Sequence, residues 1–151
     1  MKCRWNFEGQ GETLDTASGK FEQSILTIGE MQVISAADEL FNHCDDERPM
    51  WKGEGDREVR VAFTFDEPFN EPPSLNFGVT GIDCDEGRNV RYGVSTENVT
   101  KDGFEVSFVT WSDTLIARAS ISWQAVGSAQ KRAAPARPVK SAPKKTSTTK
   151  T

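Results

Sequence analysis

Between residues 57 and 125, apolar and polar side chains alternate in short runs separated by turn residues, a period of two that predicts β-strands. Val59, Val61, Phe63 and Phe65 share one face, opposed by Arg60, Ala62 and Thr64. Pro68 and Pro72-Pro73 then break the chain, because proline has no N–H to give a central ladder. Leu75, Phe77 and Val79 alternate with Asn76, Gly78 and Thr80; Phe104, Val106 and Phe108 form a further inward row; Ala117, Ala119, Ile121, Trp123 and Ala125 form the last. Trp123 is therefore read as core. Upstream, glycines punctuate two apolar pieces, 21–28 and 31–34, that suggest one or two more strands, and residues 36–41 read as a single helical turn. The expectation is an all-β protein, a small antiparallel β-sandwich of about six strands.

The same parity singles out residues on the wrong side to be core. Val90, Tyr92 and Val94 share the inward phase, so Arg91 points away from them. Continuing the Phe104–Phe108 strand throws Trp111 outward, with Ser112 and Asp113 in the turn that follows. A flat ring, a fork of N–H donors and a carboxylate close together suit a polyhydroxylated ligand, which points to a binding protein. The bland alternatives are an ion pair for Arg91 with one of the many acids, and a turn-forming role for Asp113. Trp5 and Trp51 lie where no periodicity helps; each is either packing or a second ligand platform.

Charge narrows the partners. Residues 128–151 hold seven Lys/Arg and no acid, so a chain charge of −5 leaves −12 on residues 1–127. A body that acidic repels phosphate backbones, and any nucleic-acid affinity would belong to the tail alone. The tail is rich in Ala, Pro, Lys and Thr without an aromatic residue, a composition that predicts disorder. The reading divides the chain into an N-terminal β-rich segment, 1–50, that either completes the sandwich or adds a layer; a sandwich domain, 51–127; and a basic tail, 128–151.

Other chemistries find little support. Cys3, Cys44 and Cys84 are odd in number and lack paired spacing, so no disulfide framework is expected. The single histidine, His43, adjoins Cys44, Asp45 and Asp46, too few ligands for a structural metal site, and reads as part of a solvated loop. The acids at 83–86 lack the offsets of a calcium loop. Asn98-Val99-Thr100 reads as a polar turn, although it matches the N-glycosylation triplet. There is no nucleophile motif and no phosphate cradle; no enzyme activity, cofactor or metal is expected. Without an apolar leader or membrane-length apolar run, the chain is expected to be soluble, cytoplasmic or exported by a leaderless route.

The order Pro68-Phe69, Pro72-Pro73, Asn89-Val90-Arg91, Asn98-Val99-Thr100, Gly103-Phe104, Thr110-Trp111-Ser112-Asp113-Thr114 and Ile121-Ser122-Trp123 resembles the H-type lectin family of snail agglutinins and discoidins, over roughly residues 57–127. The resemblance implies a β-sandwich that assembles as a trimer and binds galactose or N-acetylgalactosamine between protomers. It assigns the sugar-contacting arginine to Arg91 and the sugar-contacting tryptophan to Trp111, the two residues that parity already turns outward. Ser112 stands where the snail agglutinins have histidine, and Ala117 where they have tyrosine. The acidic ligand falls on Asp56. The expected site is thus Asp56, Arg91, Trp111, Ser112 and Asp113, with glycans and a homotrimer as partners; the alternative is a trimeric structural or adhesion head of a fibre or virion appendage that binds no sugar.

Overall fold

The computed structural model describes residues 13–44 and 48–131. Expectations for Cys3, Trp5, Asp45, Asp46 and most of the basic tail lie outside the described residues. Eight strands run in chain order: β1 (Thr13–Gly19), β2 (Ser24–Ile28), β3 (Met31–Asn42), β4 (Arg57–Thr64), β5 (Ser74–Cys84), β6 (Tyr92–Glu97), β7 (Gly103–Thr110) and β8 (Ile116–Ser128), with one short helix, α1 (Pro49–Lys52), between β3 and β4. One sheet has the order β1-β4-β7-β6 and the other β2-β3-β8-β5. The all-β sandwich is as expected, with two more strands than the periodicity suggested. Its pairs are antiparallel except β1 with β4, which run parallel.

The inward rows close the sandwich. Val59, Val61, Phe63 and Phe65 are buried together with Phe104, Val106, Phe108, Ile121, Trp123 and Ala125. Their centre is aromatic: Phe63 stacks on Phe104 at 5.3 Å, and Trp123 meets Phe104 edge-on at 5.2 Å. Each such side chain contributes about 1.5–3 kcal/mol by leaving water, so these rows outweigh any local preference. Leu75, Phe77 and Val79 are half-buried against this core from β5.

Three expectations are corrected. Residues 36–41 are strand, not helix: apolar residues at 36, 37, 40 and 41 mimic helical spacing, but a register shift between Glu39 and Phe41 reverses the parity. Leu40 and Phe41 consequently both face the core although adjacent in sequence. His43 is not in a solvated loop. It is buried, its N–H donates to the Ala117 carbonyl at 2.7 Å, and its Nδ1 accepts from the Met50 N–H at 3.2 Å. Tyr92 and Val90, both expected inward, are 40% and 49% exposed, because β6 is an edge strand and Val90 precedes it; the Tyr92 ring keeps the inward phase only by stacking on Phe108 at 5.5 Å. The triplet at 98–100 is indeed a turn between β6 and β7, in which Asn98 takes φ 50° and the Thr100 hydroxyl accepts from the Asp102 and Gly103 N–H groups.

Candidate functional site

At one end of the sandwich, Arg57 opens β4 in phase with Val59 and Val61, so its side chain enters the interior. It is only 1% exposed. The guanidinium donates to the carbonyls of Gly55 (3.0 Å), Gly53 (2.8 Å), Pro49 (3.2 Å), Ser112 (3.3 Å) and Thr114 (2.7 Å), with a longer contact to Met50. Burial pushes its pKa down and the nearby Glu54 and Asp56 pull it back up. A buried cation is tolerable only when its donors are satisfied. Here they are satisfied by main chain, and the effect is to lock the α1 loop to the corner between β7 and β8.

That corner carries the expected site. The Gly55 N–H donates to the Ser112 carbonyl at 2.9 Å, which holds the loop bearing the exposed Asp56 beside Ser112. Ser112 takes φ 61°, a left-handed conformation that non-glycine residues seldom adopt and that turns the chain sharply after Trp111. Two buried threonines fasten the segment before β6: Thr110 Oγ1 donates to the Arg91 carbonyl at 2.6 Å, while Thr114 Oγ1 donates to the Asn89 carbonyl and accepts from the Arg91 N–H.

The side chains of Arg91 and Asp113 meet at 2.6 Å, each partly exposed. Hydrogen bonding from Arg91 holds the Asp113 carboxyl below the usual range, with further help from its own backbone and from Arg88. Trp111, half-buried, faces outward from the β4-β7-β6 surface, in a groove of about 600 Å³ that it lines with Tyr92, Val109, Ser107, Glu58 and Arg60. Arg60 gathers Glu97 at 2.6 Å, Glu58 at 2.8 Å and Glu105 at 3.2 Å, and Ser107 donates to Glu58. Glu97 leads the charges that raise the Arg60 pKa; hydrogen bonds from Asn98 and then Arg60 lower that of Glu105.

All five expected residues therefore gather at one end. Arg91 and Asp113 touch, Trp111 and Ser112 directly precede Asp113 in the chain, and Asp56 is tethered through its neighbour Gly55. Sequence reasoning missed Arg57 as the hub and Thr110 and Thr114 as fasteners. The signal for Arg57 was present, a charge in phase with a buried row, and the threonines show none. Trp51, on α1, is half-buried.

The fold is a two-sheet β-sandwich, and comparison with known families gives its class as a lectin domain. A family model described as the H-type lectin domain matches residues 60–126. The chain is 43% identical over 89 residues to the ATP synthase subunits region ORF 7 of Fuscovulum blasticum, covering 59% of this chain and 77% of that protein. It is 35% identical over 65 residues to a discoidin-1 chain of Dictyostelium discoideum, covering 42% of this chain and 26% of that one. The recombinant discoidin II structure from the same organism shares the fold with TM-score 0.57 and 19% identity, over 70% of this chain and 40% of that chain. The chain thus spans about a quarter of that discoidin-1 protein and well under half of discoidin II. It belongs to the H-type lectin family.

Proposed function

We propose that the chain binds galactose-type glycans through Asp56, Arg91, Trp111, Ser112 and Asp113, with the sites shared between neighbouring protomers of a trimer. The observation that carries this reading is the Arg91–Asp113 pair held on the same rigid corner as an outward-facing indole. Nη1 of Arg91 is engaged with Asp113, and the guanidinium has further donors with which to meet sugar hydroxyls. The carboxylate accepts from adjacent hydroxyls, and the apolar face of a galactose-like ring lies on Trp111 at small entropic cost. Chemistry on the sugar is not required; the domain is a binding module.

One shallow site is weak, because few ligand atoms are buried and polar desolvation offsets much of the hydrogen bonding. Three sites engaging clustered glycans raise avidity by about 10²–10⁴ without a new contact. The rival reading, a structural trimeric head, draws on the same ion pair, since Arg91 already has a partner within its own chain. A glycan array separates them. The native chain is expected to bind galactose-terminated glycans, and Trp111→Ala to lose that binding with an unchanged circular dichroism spectrum. Unchanged binding removes Trp111 from the site, and a native chain that neither binds nor cross-links glycoconjugates in light scattering leaves the structural head.

A further inference from the structure

The two sheets present four edge strands among the described residues: β1 and β6 in one, β2 and β5 in the other. A sheet edge offers unpaired N–H and C=O groups to another strand, and proteins blunt such edges with charge, proline or bulges. Two of the four are blunted, and a third, β1, runs straight into the exposed Lys20. β6 ends in Glu97, engaged with Arg60. β5 carries Asp83, paired with Arg118, and has register shifts at Val79/Gly81 and Asp83/Cys84.

β2 has none of these protections. Ser24-Ile25-Leu26-Thr27-Ile28 holds no charge, proline or glycine, and pairs in unbroken register with β3. Its outward face is apolar: Leu26 is 57% exposed, Ile28 65% and, across the hairpin, Met31 54%. Leu26 stands opposite Val33, and Val33 opposite Val126, so the patch runs inward onto the sheet. Ser24, Ser35 and Gln124 continue the same face without a charge.

We infer that β2 is the strand through which two copies of this chain pair, edge to edge and antiparallel, joining two four-stranded sheets into one of eight. Charge selects the occupant. With −12 on residues 1–127, two copies repel wherever acidic surfaces meet, and this uncharged face is where they approach without that cost. Depletion of charge around exposed aliphatics and methionine is also the composition of an interface centre. Residues flanking the strand are of both signs, Lys20 and Glu22 before it and Glu30 after, so antiparallel pairing sets mixed ends against each other. The chain's own tail is a poor occupant: it departs near the hairpin, where the Ala129 N–H donates to the Glu30 carbonyl, but Pro135, Pro138 and Pro143 interrupt its capacity to add a strand. A twofold contact of this kind is self-complementary and closes. It is independent of sugar binding, and combined with a trimer whose threefold axis it meets at a right angle it makes a hexamer.

Sedimentation equilibrium of the full chain tests this. The expected assembly mass is an even multiple of the chain mass, and Leu26→Lys with Ile28→Lys halves it while circular dichroism is unchanged; both side chains are mostly exposed, so their replacement spares the core. A native mass that is an odd multiple, or one that the double variant leaves as it was, overturns the pairing. Should the double variant fold poorly, hydrogen exchange on the native chain decides: amides of β2 directed away from β3 exchange as slowly as those of the central β8 if copies pair, and as fast as an open edge if they do not.

Discussion

Arg57 is the residue on which the geometry of the site turns, although it touches solvent almost nowhere. Its guanidinium joins carbonyls from the α1 loop to carbonyls from the β7–β8 corner, so removing it strands several buried acceptors at once. Arg57→Met is expected to cost about 3 kcal/mol or more in urea denaturation, and Arg57→Lys, a point charge without the fork, to recover only part. Asp113 gives a second expectation. Its folded pKa lies below the unfolded value, so the stability of its pair with Arg91 is fully present above the ordinary carboxylate range and lost only as pH falls through the lower folded value. A carbon-13 titration of the Asp113 carboxyl should show that depressed midpoint, and Arg91→Ala should return it upward. Outward-facing Arg91 and Trp111 were legible from parity alone; the Arg57 hub was not, because its partners are main-chain carbonyls whose positions no side-chain pattern encodes.

Among the elements, β4, β7 and β8 were readable because each sends a row of alternate residues inward, although Ser107 in β7 and Ile116 at the start of β8 are buried out of phase. β3 was not, since its bulge puts two consecutive apolar residues inside and gives the sequence a helical rhythm. His43 follows the same logic: a polar residue beside acids reads as surface, and only the docking of α1 shows that its Nδ1 anchors the Met50 N–H. Gly103 marks where β7 leaves the turn at 98–102, with its Cα side against the main chain of Phe63. A Cβ there collides with the Phe63 carbonyl, which no rotamer change relieves. Gly103→Ala is expected to destabilise the domain by about 2 kcal/mol, read from the shift of the urea midpoint, without altering glycan preference.

For the molecule as a whole, stability lies in the aromatic centre where Phe63, Phe65 and Phe104 surround Trp123. Trp123→Ala is expected to cost about 3–5 kcal/mol in the same denaturation experiment, since the rings that meet it from the opposing sheet cannot collapse into the space. The pattern of residues along the chain by itself determined that this is a β protein, which faces are core, and which arginine and tryptophan stand outside, because burial enforces a period of two on every half-buried strand. Which edges remain open, how β1 comes to run parallel beside β4, and how Asp56 is brought to the turn bearing Asp113 were decided by tertiary structure. Those depend on hydrogen bonds between main-chain groups distant in sequence, and main-chain groups are the same at every residue but proline.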